Sequence, residues 1–237
     1  MSKTVFHAAA TRGHANHGWL NAHHSFSFAG YYNPSRIHFG VLRVLNDDEI
    51  AGGGGFGMHP HDNMEIITIP LEGDLEHKDN MGNGSIIKPG DVQVMSAGTG
   101  VMHSEFNPLK DEATNLFQIW IFTKEKGIAP SYDQKSFNVA DRKNNVQTVA
   151  SGFKKGDELY IHQNAAISLA NLDKNSELKY TLHDKNNGAY IMVINGSLDV
   201  EGAKLEKRDA IGVWETENIM LKSDDSAEII IIEVPMN

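Results

Sequence analysis

Residues 57–65 read Gly57-Met58-His59-Pro60-His61-Asp62-Asn63-Met64-Glu65. His59 and His61 are two positions apart, and residues at this spacing on a β-strand point to the same face, about 6.6 Å apart. Two imidazoles on one face can bind the same metal ion. The pair alone is weak evidence, because the twelve histidines of the chain, placed at random, would give roughly 0.6 such pairs.

A second pair with the same spacing follows at His103-Ser104-Glu105. If the two segments are neighbouring strands, His59, His61, His103 and Glu105 meet in the interior of a barrel. Three imidazoles and one carboxylate can bind a divalent first-row metal and leave coordination positions open for substrate or water. Glu65 lies four residues after His61, on the same face if the strand continues. Its position leaves three roles open: metal ligand, proton acceptor, or a residue that orients a ligand.

The surrounding sequence predicts strands rather than helices. Short segments of alternating or wholly apolar character recur between turns such as Met81-Gly82-Asn83-Gly84 and Lys88-Pro89-Gly90-Asp91. No segment keeps a convincing helical periodicity for four turns. The pattern is typical of an all-β sandwich or barrel. The predicted strands cover residues 39–45, 65–71, 91–95, 116–122, 189–194, 210–214 and 229–234.

Two tandem β-domains are expected, because a short motif recurs in the two halves of the chain. Leu71-Glu72-Gly73-Asp74-Leu75 resembles Ile194-Asn195-Gly196-Ser197-Leu198, as in an internal duplication. The polar stretch 124–158 lies between the copies and is interpreted as their connection. We therefore place an N-terminal domain at residues 1–135 and a C-terminal domain at residues 145–237.

The second domain is expected to lack metal ligands. At the offset of the repeated motif, Leu182 and Asp184 occupy the positions of His59 and His61. His183 falls one residue out of register, which on a strand turns its side chain to the opposite face. One metal ion per chain is therefore predicted, in the N-terminal domain.

Composition limits the cofactors and partners. The chain has no cysteine, so a metal must be held by histidine and carboxylate side chains. The net charge of −10 opposes binding to nucleic acid or to an anionic membrane surface, since both need clustered Lys and Arg. The first residues lack the apolar stretch of a signal peptide, and no run reaches the roughly 18 apolar residues of a membrane span. A cytoplasmic protein with small-molecule or protein partners is expected.

Residues 57–65 resemble the first signature of the cupin superfamily, and residues 90–107 resemble the second. Within that superfamily the chain resembles the pirin family, also through His24-Ser25-Phe26-Ser27-Phe28 and Gln118-Ile119-Trp120-Ile121. The resemblance runs through roughly the first 135 residues. It implies an all-β bicupin, with two tandem jelly-roll β-barrel domains and the metal in the first.

In pirins the carboxylate ligand is the glutamate two positions after the last histidine. The resemblance therefore implies that Glu105 binds the metal with His59, His61 and His103, and that Glu65 is secondary. It implies Fe(II) as the first choice of metal, with Cu, Ni, Co, Mn and Zn as alternatives.

The implied activity is that of a quercetin 2,3-dioxygenase, with a flavonol or a related enol or phenol as substrate. The 3-hydroxyl loses its proton and binds the metal, dioxygen adds to the activated ring, and carbon monoxide leaves. Glu105 is the expected base, with Glu65 as the alternative.

The resemblance also implies a role of another class. Some pirins are regulatory proteins whose metal state controls binding to a transcription factor or a metabolic enzyme, and the sequence does not separate this role from catalysis. A different cupin enzyme, such as an isomerase or a hydrolase, is a third interpretation.

Overall fold

The computed structural model describes residues 2–153 and 156–237; Met1, Lys154 and Lys155 lie outside the described residues. The two lysines belong to the polar stretch 124–158. Two short 3-10 helices cover Ala9–Thr11 and Val139–Arg142. The strands are β1 (Lys3–His7), β2 (Gly13–Asn16), β3 (Leu20–His24), β4 (Leu42–Ile50), β5 (Gly55–His61), β6 (Met64–Glu72), β7 (Leu75–Asp79), β8 (Gly84–Ile87), β9 (Asp91–Ser96), β10 (Val101–Phe106), β11 (Thr114–Phe122), β12 (Ser131–Ser136), β13 (Gln147–Ser151), β14 (Leu159–Tyr160), β15 (Ala166–Leu172), β16 (Ser176–Thr181), β17 (Asn187–Gly196), β18 (Leu198–Val200), β19 (Ala203–Leu205), β20 (Ala210–Trp214), β21 (Asn218–Ser223) and β22 (Ala227–Pro235).

The first half of the chain forms a two-sheet sandwich, here called the front sandwich. A seven-stranded sheet of order β12-β9-β6-β11-β4-β3-β2 faces a four-stranded sheet of order β5-β10-β7-β8. An apolar cluster joins their inner faces, with Leu20, Ile50 and Leu116 from the larger sheet and Leu75 and Ile87 from the smaller one. The two sheets form an open jelly roll rather than a closed barrel.

The second half forms the back sandwich in the same way. Its larger sheet has the order β1-β20-β17-β22-β15-β13-β14, and its smaller sheet has the order β16-β21-β18-β19. Strand β1 pairs with β20, from Lys3 opposite Trp214 to His7 opposite Ala210. The first strand of the chain therefore completes the sheet of the back sandwich, although the sequence assigned residues 1–135 to the N-terminal domain.

The two seven-stranded sheets pack against each other. Ile67 and Phe117 of the front sandwich and Ile167 and Ile230 of the back sandwich belong to one buried cluster. Ile66, the neighbour of Ile67 on β6, faces the interior of the front sandwich instead and packs in a separate cluster, because adjacent strand residues point to opposite faces. Burial on both faces explains why β6, β11 and β22 are almost continuously apolar.

A buried network of ion pairs links the two sandwiches. The Asp47 carboxylate on β4 accepts hydrogen bonds from Nη1 of Arg12 at 3.0 Å and from Nε of Arg208 at 2.9 Å. Burial opposes ionisation of Asp47, but the Arg208 and Arg12 guanidinium groups outweigh it and hold the pKa of the carboxyl below its usual value. Asp47 therefore stays charged and links the two halves through Arg208.

The sequence-based prediction of an all-β protein with two cupin-type domains is confirmed. The polar stretch 124–158 also contributes strands, since β12 pairs with β9 of the front sandwich and β13 pairs with β15 of the back sandwich. The domain limits at 135 and 145 stay a prediction. Among the described residues, no helix has the length and apolar character needed to cross a membrane.

Candidate metal centre

The four-stranded sheet of the front sandwich brings the two sequence pairs together. Strands β5 and β10 are antiparallel neighbours, with His103 opposite His59 and Val101 opposite His61. The ring centroid of His103 lies 4.4 Å from that of His59 and 4.9 Å from that of His61. The three imidazoles thus converge on one point, as their spacing predicted.

Glu105 lies next to His103 in this cluster and is also buried. The pairing of β10 with β5 is irregular between His103 and Glu105, and the glutamate side chain is only 3% exposed. The amide of Gln118 donates to both carboxylate oxygens, at 2.9 and 3.2 Å, and the Thr68 hydroxyl donates to Oε1 at 3.3 Å. Burial raises the pKa of Glu105 against the opposing effect of these hydrogen bonds. The carboxylate is thereby fixed in position and made more basic.

The protonation of the histidines suits metal binding. Burial, with the neighbouring imidazole of His59, lowers the pKa of His61 to about 4, and the same causes lower the pKa of His103 to about 2. Both rings are therefore neutral at pH 7, which is the form that binds metals. Nδ1 of His59 lies 2.8 Å from the carbonyl oxygen of Gly57; because a carbonyl only accepts, Nδ1 carries a proton, and Nε2 is the nitrogen available to a metal.

One buried histidine nitrogen supports the presence of a metal ion at the centre of this cluster. Nε2 of His103 is buried and has no hydrogen-bond partner among the described residues, although leaving such a group unpaired costs about 1–3 kcal/mol. A metal ion bound between the three rings removes that cost. Neutral imidazoles with a carboxylate form a donor set for divalent first-row metals, so the residues present fit such an ion.

The possible ligand atoms form two overlapping groups. Those of His59, His61 and His103 lie within 4.8 Å of one another, and so do those of His77, His103 and Glu105. His103 belongs to both groups and therefore marks the centre of the site. His77 was not among the residues singled out in the sequence, although it stands two positions before Asp79 on β7, in the same spacing that revealed the other pairs.

Glu65 lies apart from the histidine cluster, and the expectation that it could be ligand or base stays a prediction that its position disfavours. The chain turns at Asn63, whose φ is 45°, and continues as β6 in the other sheet, so the alternation that places His59 and His61 does not extend to Glu65. Its Oε2 accepts from the Ser96 hydroxyl at 2.7 Å and from the backbone N–H of His162 at 3.0 Å. Glu65 therefore binds a loop of the back sandwich and faces away from the histidines.

The equivalent region of the back sandwich carries different side chains. Leu182 packs in the apolar core of that sandwich. Nδ1 of His183 lies 2.8 Å from the buried Glu233 carboxylate, which also accepts from the backbone N–H of His183 at 2.8 Å and from the Tyr180 hydroxyl. These contacts organise the loop before β17. One metal ion per chain stays a prediction.

An aromatic wall adjoins the histidines. Trp120 on β11 contacts His61, with 4.8 Å between ring centroids, and also Phe28, at 5.3 Å. Phe28 in turn contacts His24 at 5.4 Å. Flat apolar surfaces of this kind can bind the rings of an aromatic ligand.

Comparison with known proteins agrees with the two-domain fold. The family model described as Pirin matches residues 5–121, and the model described as Quercetinase C-terminal cupin domain matches residues 148–234. Quercetin 2,3-dioxygenase of Escherichia coli (strain K12) is 40% identical over 227 residues, covering 96% of each chain. A pirin-like protein of Caulobacter vibrioides is 43% identical over 93% of this chain and 95% of its own.

Comparison with solved structures shows the same fold in a bacterial pirin. The crystal structure of the bacterial pirin YhhW from Escherichia coli in complex with nickel(II) superposes with a TM-score of 0.93 at 39% identity, covering 99% of this chain and 100% of the other. The two family models, the two-sandwich architecture and the histidine cluster point in one direction: the chain belongs to the pirin family of the cupin superfamily.

Proposed function

We propose that the protein is a metal-dependent dioxygenase that cleaves flavonols, with activity of the quercetin 2,3-dioxygenase type. The observation that carries this proposal is the cluster of the His59, His61 and His103 imidazoles, in which the buried Nε2 of His103 has no hydrogen-bond partner among the described residues and the Glu105 carboxylate lies close to His103. Relatives named quercetin 2,3-dioxygenase support the same reaction. We propose His59, His61, His103 and Glu105 as the metal ligands.

Glu105 is the proposed base. The reaction requires removal of the proton from the 3-hydroxyl of the flavonol, and a carboxylate held in a fixed position beside that hydroxyl can accept it. The amide of Gln118, bound to both oxygens of Glu105, holds the carboxylate in place before and after the transfer. No other carboxylate is needed for this step, and Glu65 points away from the site.

The interior of the front sandwich suits a polyphenol. Among the described residues, Trp120 Nε1, Gln93 Oε1 and Asp48 Oδ1 are buried and lack hydrogen-bond partners. All three side chains project from the seven-stranded sheet into the space that also contains Glu105, since their strand neighbours face the opposite side. A flavonol offers several hydroxyl and carbonyl groups to such atoms and a flat ring system to the Phe28–Trp120 wall.

A bound divalent ion would supply a Lewis acid that favours the deprotonated 3-hydroxyl, and a redox-active ion, unlike Zn²⁺, would also supply an electron-transfer partner for dioxygen. We propose one ion per chain, with Fe(II) as the first choice and Cu, Ni, Co, Mn and Zn as alternatives. The donor set accepts all of these ions, and a homologous pirin has been crystallised with nickel(II).

Oxygen uptake with quercetin tests the proposal. Protein loaded separately with each metal is assayed; at least one loaded form should consume dioxygen and release carbon monoxide, and His103→Ala should abolish both. Met102→Ala is a matched control, since Met102 neighbours His103 on β10 but is 41% exposed. Full activity in His103→Ala, or no turnover with any metal, would reject the proposal.

A regulatory role is the alternative, and one observation favours it. Met58, Met102 and Phe106 lie on the same two strands as the ligands and are exposed by 52, 41 and 36%. A metal on the inner face of this sheet and an apolar patch on its outer face would couple metal binding to a protein partner. Metal-dependent binding of a purified transcription factor or metabolic enzyme, without flavonol turnover, would support this role over catalysis.

A further inference from the structure

His77 lies directly behind His103. It is fully buried on β7, where the antiparallel pairing places it opposite Glu105 of β10. The ring of Tyr132 stacks on His77 with 4.7 Å between centroids, and Nδ1 of His77 lies 3.4 Å from Nδ1 of His103. The His77 ring is thus held between Tyr132 and the candidate ligand.

Asp79 contacts the opposite side of the His77 ring. Its Oδ2 lies 3.3 Å from Nε2 of His77 and accepts from the side-chain amide of Asn83 at 2.8 Å. Its Oδ1 accepts from the backbone N–H groups of Met81 and Asn83, both at 2.9 Å. Burial opposes ionisation, but these hydrogen bonds outweigh it and keep the pKa of Asp79 below its usual value. Asp79 is therefore a charged acceptor with a fixed orientation.

The contacts determine which nitrogen carries each proton. A carboxylate only accepts, so Nε2 of His77 must be the donor to Asp79. In a neutral ring Nδ1 of His77 then has the lone pair, and Nδ1 of His103 must donate to it. The remaining nitrogen of His103, the buried Nε2, has no partner among the residues that the structure describes and is left with its lone pair toward His59 and His61.

We propose that Asp79 and His77 are positioning residues, which hold His103 in the tautomer whose Nε2 is ready to bind the metal. The proposal rests on the proposed metal centre. His77 itself is not a ligand in this arrangement, because both of its nitrogens are already engaged, one by Asp79 and one by His103. Relays of this kind raise ligand basicity and fix the orientation of the ring.

Three variants separate positioning from structural support. His77→Phe keeps an aromatic ring against Tyr132 but removes the acceptor for His103. His77→Asn restores an oxygen near the position of Nδ1. Asp79→Asn keeps the acceptor for the two backbone N–H groups and turns an amide N–H toward His77, which reverses the relay and protonates Nε2 of His103. Lys78→Gln, an exposed change on the same strand, is the matched control.

The readouts are metal affinity, measured by competition with a chelator, and the tautomer of His103 in metal-free protein, measured by ¹⁵N NMR of the imidazoles. We expect His77→Phe and Asp79→Asn to weaken binding by roughly 10–100-fold, His77→Asn to recover part of that loss, and Lys78→Gln to match the wild type. The wild-type spectrum should show His103 protonated at Nδ1, and the Asp79→Asn spectrum should show it protonated at Nε2. Thermal unfolding of each metal-free variant identifies any that loses its fold.

Two results would overturn the proposal. One is unchanged affinity together with an unchanged His103 tautomer in folded His77→Phe and Asp79→Asn. The other is a wild-type stoichiometry of two ions per chain that falls to one in His77→Phe, because His77 would then be a ligand. Neither readout uses a flavonol, so absence of dioxygenase activity leaves this test intact.

Discussion

Asp48 provides a prediction whose size follows from the structure. This carboxyl on β4 is 4% exposed, and its Oδ1 has no hydrogen-bond partner among the described residues. Burial, with the nearby Asp47 and Glu105 carboxylates, raises its pKa from 3.8 to about 8. Asp48 is therefore protonated in the folded, metal-free protein at pH 7 but ionised in the unfolded chain.

Because Asp48 ionises at a lower pH in the unfolded chain than in the folded protein, the free energy of unfolding decreases as the pH rises toward 8. A raised folded-state pKa gives stability that is complete below pH 3.8 and is lost progressively up to about pH 8. At 1.36 kcal/mol per pKa unit, the loss at pH 7 is at most about 4 kcal/mol. Asp48→Asn keeps the shape of the protonated carboxyl and cannot ionise, so it should increase the free energy of unfolding of the metal-free protein by up to this amount.

Urea unfolding at pH 7 and pH 3.5 measures the effect. We expect the midpoint of Asp48→Asn to rise by roughly 1 M at pH 7 and to match the wild type at pH 3.5, where both side chains are neutral. Asp111→Asn, an exposed carboxylate in a loop, should change neither midpoint appreciably. An equal gain at both pH values, or a loss at pH 7, would refute the reasoning, because the change would not come from ionisation of Asp48.

Three further substitutions test separate parts of the structure. Glu65→Ala should lower the free energy of unfolding by about 2 kcal/mol or more, because it leaves buried donors unpaired, and it should not change the metal stoichiometry. Loss of the bound ion in this variant would indicate that Glu65 contributes to the metal site. Asp47→Asn should cost about 3–5 kcal/mol at pH 7, since two guanidinium groups lose their counter-charge. Because the folded-state pKa of Asp47 is depressed, this difference should shrink as the pH falls below 3.8, and a constant difference in urea titrations would contradict it. Trp120→Phe should reduce kcat/KM for quercetin about tenfold through one lost hydrogen bond without changing metal content; unchanged kinetics would remove Trp120 from the substrate site.

The proximity of the candidate ligands within each pair was predictable from sequence because alternation on a strand is a local property. His59 and His61 occupy alternate, partly buried positions of β5, and His103 and Glu105 occupy alternate, buried positions of β10. The alternation does not extend to Glu65, because the turn at Asn63 transfers the chain to another sheet before Glu65 is reached. Alternation holds only as long as the strand continues.

Other features depend on contacts between distant parts of the chain. Strand β1 pairs with β20, more than 200 residues away, and no local pattern in Lys3–His7 distinguishes this partner from a strand of the front sandwich. The relay from Asp79 through His77 to His103 needs the pairing of β7 with β10. The spacing of His77 and Asp79 is visible in the sequence, but the strand beside which they lie is not.

The most direct test of the metal centre is anomalous X-ray diffraction from crystals of metal-loaded protein, recorded on both sides of the absorption edge of the metal. We predict one peak per chain, about 2.0–2.2 Å from Nε2 of His59, His61 and His103 and from a carboxylate oxygen of Glu105. A principal peak bound to Glu65 or to His77, or located outside the front sandwich, would contradict the proposed site and the reaction derived from it.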